Sequence, residues 1–216
     1  MPTITEISVS KKGRNRERTV TIDGSRGLEI TEETFRRIDV AEGKTIATEK
    51  LKEMEIFDGV VRAMVEAHRL IDFRMRTRHE ILLKHTSRGW SIEVVEDVLR
   101  RLEKGGLVDD EHFSRLWIDE RLRNRPVGLA LLRRELKQKG VNTEIIKIAL
   151  EEQSSNDEET ERAYEALRRQ SYRYVRLDRN IAHRRMVAFL ARRGFVQTVI
   201  YKVVHRVLDE IQESEN

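Results

Sequence analysis

Three glycines separated by 51 and 54 residues, Gly89, Gly140 and Gly194, constrain what this chain can fold into more than any other feature. They sit at the same place in three self-similar stretches: "HEILLKHTSRGWSIEVVEDVL", "LLRRELKQKGVNTEIIKIAL" and "MVAFLARRGFVQTVIYKVV". Each glycine is followed at once by an apolar residue, Trp90, Val141 or Phe195. Further on stand paired apolar residues, Val94 and Val95, Ile145 and Ile146, Val199 and Ile200, and then Val98 and Leu99, Ala149 and Leu150, Val203 and Val204. That spacing is one face of an α-helix, and a glycine between two such faces reads as a C-cap in left-handed backbone. A further amphipathic helix precedes each pair: Val60, Met64, Ala67 and Ile71 in the first unit, Phe113, Leu116 and Trp117 in the second, Ala163, Tyr164 and Leu167 in the third.

The expected fold is therefore mainly α, with three tandem three-helix repeats over 51–105, 106–153 and 154–216. Units near 50 residues bury little surface alone, so neighbours are expected to pack end to end into an elongated, curved body. With 38% apolar and 37% charged residues, a thin core under much solvated helix surface is expected, and two prolines and eleven glycines are too few for a sandwich or barrel. Residues 1–50 read as an extension. "ITEISVSKKG" and "RERTVTIDG" suggest a β-hairpin around the basic loop KKGRNR. Thr31 before Glu32 and Glu33 predicts a capped short helix over EETFRRIDV, Gly43 a turn, and helix resumes from about Thr48. The acidic stretch EEQSSNDEETE, Glu151 to Glu161, reads as a flexible joint between the second and third units.

Catalytic and metal signatures are missing from the chain. There is no GxxxxGK[ST], GxGxxG, HExxH or GxSxG, and with no cysteine there is no disulfide, thiol nucleophile or thiolate site. His68, His79, His85, His112, His183 and His205 are dispersed. Asp109, Asp110 and Glu111 fit an N-cap and a first helical turn better than acid–base chemistry, and Thr77-x-x-Glu80 fits a capping box. No apolar run approaches the ~18 residues of a membrane span, and MPTITEISVSKKG lacks a signal-peptide core. A non-enzyme of the cytoplasm, monomeric, without membrane contact, cofactor or metal, is expected.

The distinctive surface feature is positive charge. Arg121, Arg123, Arg125, Arg133, Arg134, Lys137 and Lys139 stand against the single acid Glu135. Arg168, Arg169, Arg173, Arg176, Arg179, Arg184, Arg185, Arg192 and Arg193 stand against only Asp178. The planar guanidinium fork suits phosphate oxygens, and Tyr164, Tyr172 and Tyr174 lie beside the second cluster, where bases could stack. Arg121 falls one turn beyond Trp117, so packing on the indole competes with that role. In the hairpin Lys11, Lys12, Arg14, Arg16 and Arg18 either meet DNA or belong to a cap on the first unit.

The stretch GLVDDEHFSRLWIDERLRNRPVGLALLRRELKQKGV, Gly106 to Val141, closely resembles the central motif of the RecX family, bacterial regulators of the recombinase RecA. Gly106, Leu107, Asp109, Asp110, Phe113, Ser114, Trp117, Arg121, Gly128, Glu135, Leu136, Lys139 and Gly140 match its pattern. FLARRGF, Phe189 to Phe195, is similar to the family's C-terminal motif, and RMRTRHEIL to its first-repeat entry, with Thr77 for the usual serine. His85 departs from Leu136 and Leu190 at the matching positions, and Asn180-Ile181-Ala182-His183 replaces a more acidic segment. The resemblance implies a non-enzymatic modulator that lies in the groove of the RecA filament, touches single- and double-stranded DNA, and lowers RecA ATPase, filament growth and strand exchange. A direct DNA-binding regulator of helix-turn-helix type is the main alternative, and an adaptor without nucleic-acid contact a third.

Overall fold

The computed structural model describes residues 1–12, 15–38, 40–152 and 156–215, and its contacts divide into two compact units, Met1–Val108 and Asp109–Asn216. The first unit opens with β1 (Ile4–Lys12), β2 (Asn15–Ile22) and β3 (Ser25–Thr31), an antiparallel sheet in the order β1-β2-β3. The hairpin expected from alternation is β1–β2, paired through Ile7 and Val20. The third strand departs from the expectation. Asp23 and Gly24, both at positive φ (50° and 72°), form the two-residue turn between β2 and β3. Gly27 then lets β3 approach β2 so closely that a Cβ there would lie 2.0 Å from the carbonyl oxygen of Val20.

Thr31 caps α1 (Glu32–Arg37), its hydroxyl accepting from Thr34 N at 3.2 Å. The sheet closes over Ile4, Val20, Ile30, Val40, Ile46 and Met54. Met54 already belongs to α2 (Thr48–Phe73), so a boundary at 50/51 falls inside a helix whose first turns serve the sheet. Asp58 of α2 fastens the two parts. Its carboxylate accepts from Thr31 N (2.6 Å), Thr34 Oγ1 (2.8 Å) and Arg62 Nε (2.7 Å), while Arg62 Nη1 donates to the buried Glu17 at 2.7 Å. Arg18 of the hairpin donates through Nε and Nη2 to Glu32 and stacks on Phe35, so it serves the extension's own structure; Arg14 lies outside the described residues.

α3 (Arg78–Thr86) and α4 (Ile92–Lys104) complete the first repeat on α2, around Val60, Ala67, Ile81, Val95 and Leu99. Thr77 and Ser91 cap them, and Gly89 at φ 91° makes the expected reversal. His85 is fully buried, where the other repeats bury Leu136 and Leu190. Its Nδ1 lies 3.0 Å from Ile81 O and its Nε2 3.1 Å from Ala63 O, so the polar ring is satisfied by two helical carbonyls. Both oxygens lie in helical turns, so His85→Leu should change stability by no more than about 1.5 kcal/mol, whereas His85→Ala should cost about 2–4 kcal/mol. Urea unfolding of the two variants checks this pair.

The second unit contains two repeats. α5 (Asp110–Asn124), α6 (Leu129–Gln138) and α7 (Thr143–Glu151) pack around Phe113, Ile118, Leu132, Leu136, Ile146 and Leu150. α8 (Asn156–Arg168), α9 (Arg179–Arg192) and α10 (Gln197–Glu215) pack around Ala163, Leu167, Met186, Leu190, Val203 and Val207. Asp109 caps α5 by accepting from His112 N at 2.9 Å. Leu116 faces solvent, 41% exposed, and the buried stripe of α5 instead runs through Phe113, Ser114 and Ile118. Part of the acidic stretch read as a joint is helix: Asn156 to Glu161 begin α8, with Glu159 and Thr160 buried, while 153–155 lie outside the described residues.

Glu159 explains how the two repeats join. The N-cap of α6 is Gly128, which has no side chain to offer, and the free amides there bond to the third repeat instead. Gly128 N donates to Arg193 O (2.9 Å), Leu129 N to Glu159 Oε1 (3.1 Å) and Ala130 N to Gly194 O (3.1 Å). A Cβ on Gly128 would stand 2.2 Å from Gly194 O, and one on Gly194 would stand 2.3 Å from Leu131 N. Two glycines let a helix start in one repeat touch a helix end in the next.

Candidate nucleic-acid interface

The two basic clusters do not all serve one purpose. Around Trp117 the structure spends several of their members on itself. Arg121 lies over the indole, its Cζ 4.7 Å from the ring centroid, and donates through Nε (2.9 Å) and Nη2 (3.0 Å) to Glu135. Trp117 Nε1 donates to the same carboxylate at 3.0 Å, and Lys139 Nζ stands 4.3 Å from the indole centroid. Phe113 stacks beneath Trp117 at 5.9 Å. These groups lock α5 to α6, so Arg121 and Lys139, expected as contact residues, are committed within the fold.

Other members remain available. Arg123, Arg125, Arg133, Arg134 and Lys137 are exposed, as are Arg168, Arg169, Arg173, Arg176, Arg184, Arg185 and Arg192. Among the described residues only Arg169 of this set has a carboxylate partner, Glu165 at 3.5 Å. Arg123 Nε donates to Asp119 O, and Arg173 to Tyr172 Oη and Gln170 Oε1. Arg179 instead pairs with Asp209 and Gln212 of α10.

Packing of the repeats brings the clusters together. A cleft of about 500 Å³ is walled by Arg121 and Arg125 at the end of α5, Leu131 and Glu135 of α6, and Arg192 and Arg193 at the end of α9. A second cleft of about 420 Å³ is walled by Arg173, Tyr174, Arg185, Phe189 and Arg192. Arg192 is common to both, so one surface carries the arginines of both sequence clusters, with Glu135 the one acid on its walls. Arg193 is half-buried, with Nη1 donating to Pro126 O at 3.1 Å and its guanidinium over Phe189 at 4.6 Å. Burial, and then the like charges of Arg125 and Arg169, hold its pKa below the ordinary arginine value. Positive charge is crowded here with only Glu135 on the walls to offset it, an arrangement that attracts a polyanion.

The tyrosines come out differently from the expectation. Tyr174 is 6% exposed and part of the third repeat's core, and burial pushes its phenol up. Tyr164 donates to Glu210 and lies under Arg206, 3.7 Å from the guanidinium carbon. Only Tyr172 of the three is exposed, at 69%. The aromatic groups that sequence reading passed over are His183, Tyr201 and His205, drawn together from α9 and α10. Tyr201 and His205, four apart on one helix, were the available signal. Among the described residues no three His, Asp or Glu side chains are grouped to hold a metal, and no helix is long and apolar enough to cross a membrane.

Comparison with known proteins places the chain in a family. Residues 109–150 match the second three-helix domain of RecX and residues 157–204 the third. The regulatory protein RecX of Mycolicibacterium smegmatis is 40% identical over 141 residues, 63% of this chain and 74% of that protein. The chain belongs to the RecX family. RecX of Mycolicibacterium vanbaalenii is 41% identical over 143 residues, covering 63% of this chain and 77% of that one, and RecX of Streptomyces coelicolor 32% identical over 153, covering 71% and 81%. A crystal structure of a regulatory protein RecX shares the fold at a TM-score of 0.72, with 19% identity, over 94% of this chain and 98% of that one. RecX from Lactobacillus salivarius shares it at 0.65, with 17% identity, over 69% and 97%.

Proposed function

We propose that this chain, like the regulatory proteins of its family, regulates RecA, and that it does so without catalysis by binding the RecA–DNA filament through the arginine surface of its second and third repeats. The observation that carries the reading is the convergence of Arg125, Arg173, Arg185 and Arg192 on one face, without carboxylate partners among the described residues. Such a face meets phosphate and acidic protein surface alike, and restrains filament extension, ATP hydrolysis and strand exchange by occupying the filament rather than by acting on the nucleotide. The protein works in the cytoplasm as a monomer, and its contacts extend to single- and double-stranded DNA.

DNA-dependent ATP hydrolysis by RecA, titrated with substoichiometric amounts of this protein, tests the reading. A fall greater than one-for-one blockage supports action on filament ends or whole filaments. Untouched hydrolysis with salt-sensitive binding to bare DNA would transfer the lead to a direct DNA-binding regulator. Charge reversal at Arg125 and Arg192 should weaken binding at least about tenfold and flatten the dependence of log affinity on log salt by roughly 2 if each contacts one phosphate. Reversal at Arg184 and Arg185 should abolish filament binding. All four side chains are exposed, so thermal unfolding should stay where it is; unaltered binding would remove the cluster concerned from the interface.

A further inference from the structure

Repeat three carries a second surface that the arginine clefts do not include. His183 of α9 lies beside two side chains of α10: its ring centroid is 6.3 Å from that of Tyr201, with the planes only 22° apart, and 6.0 Å from that of His205, at 58°. Tyr201 is 43% exposed, His205 is exposed and His183 half-buried, and none belongs to the repeat's buried core. Among the described residues the one side-chain hydrogen bond on this group joins Gln197 Nε2 to the Tyr201 hydroxyl at 3.3 Å. Three rings gathered from two helices, two of them exposed, forgo much of the burial that aromatic side chains ordinarily provide.

The charges one residue along from two of the rings, about 100° round each helix, say what would cover the group. Arg184 follows His183 and Lys202 follows Tyr201; both are exposed, and neither has a carboxylate partner among the described residues. Arg206, one residue past His205, is by contrast tied to Glu161 and Glu210. An apolar helix laid on the rings would place these two cations against hydrocarbon, and a simple anion would leave the ring faces uncovered. A nucleotide with its base unstacked offers both a π-face for the rings and phosphates for the cations.

We propose that His183, Tyr201 and His205 form a stacking platform for the bases of single-stranded nucleic acid, with Arg184 and Lys202 on the flanking phosphates. This rests on the reading that the chain meets nucleic acid, and adds to it a site that touches bases. The platform ignores base identity, because every base has a π-face.

The test compares binding of an oligothymidylate of about 15 nucleotides with an abasic oligomer of the same length and charge, by fluorescence anisotropy. Tyr201→Ala should bind the oligothymidylate about tenfold more weakly and the abasic oligomer as the unaltered chain does, while Tyr201→Phe keeps both affinities. His205→Ala, on an exposed side chain, should repeat the selective loss and guard against a folding defect in the first variant. Equal losses on both oligomers, or loss on neither, overturn the platform and leave the arginine surface standing. Loss of RecA filament binding with oligothymidylate binding intact also overturns it, in favour of a protein contact. If the unaltered chain binds neither oligomer, the nucleic-acid reading falls and the platform with it.

Discussion

Gly194→Ala should destabilise the C-terminal unit by about 3 kcal/mol or more, one of the largest effects of any single methyl group added to this chain. Two costs add. Gly194 sits at φ 80°, which an L side chain rarely adopts, and its new Cβ would stand 2.3 Å from Leu131 N and 2.4 Å from Leu131 Cβ. Gly128→Ala isolates the second cost, because its φ of −88° is ordinary while its Cβ would meet Gly194 O at 2.2 Å. Gly89→Ala isolates the first: φ is 91° and nothing lies within 4 Å, so about 1–2 kcal/mol is expected. The two tryptophans make the comparison clean, Trp90 standing in the first unit and Trp117 in the second. Trp90→Phe leaves a single reporter on the second unit and Trp117→Phe a single reporter on the first, so urea curves assign each loss to its unit. If Gly194→Ala costs no more than Gly89→Ala, the contact between the repeats opens without penalty. Because that contact also holds Arg192 and Arg193 beside Arg125, Gly194→Ala should weaken the proposed filament binding as well.

Asp58→Ala should cost about 2–4 kcal/mol in the first unit, seen by Trp90, and leave the Trp117 transition in place. Removing one partner of a largely buried ion pair typically costs about 3–5 kcal/mol, and Arg62, with 30% of its side chain exposed, moderates that. The substitution deserts the amide of Thr31, the N-cap of α1, and takes one partner each from the buried Thr34 hydroxyl and from Arg62. Asp58→Asn should fall between, since an amide oxygen still accepts from Thr31 N but supplies no charge to Arg62. A loss below about 1 kcal/mol for Asp58→Ala would mean that the sheet is held to α2 by its apolar contacts alone.

Helix positions were legible because they are written locally. Thr31, Thr77 and Asp109 cap the helices they were read to cap, Ser91 and Asn142 do the same without having been singled out, and Gly89, Gly140 and Gly194 all take the positive φ their places in the repeat required. Strand β3 was missed although Asp23-Gly24 is a two-residue hairpin turn, because Gly27 interrupts the alternation that marks a strand. Leu116 shows the limit of periodicity, which says that a helix has an apolar face but not how wide it is, and Tyr174, outside the α-helices, was buried by packing that no local pattern announces. The reading of Glu151 to Glu161 as a joint failed at Glu159, whose buried carboxylate has its partner 30 residues away at Leu129 N.

The candidate interface divides along the same line. Sequence by itself determined the repeat, its caps and the two concentrations of arginine, since backbone preference, side-chain period and local charge are properties of neighbouring residues. Only the tertiary structure decided which cations stay available. Arg121 was drawn onto Trp117 by Glu135 of the next helix, Lys139 lies over the same indole, Arg193 was half-buried on Phe189, and Arg192 became the meeting point of clusters far apart in the chain. A guanidinium's fate depends on what lies within about 4 Å of it, and between helices that distance is set by packing rather than by order along the chain.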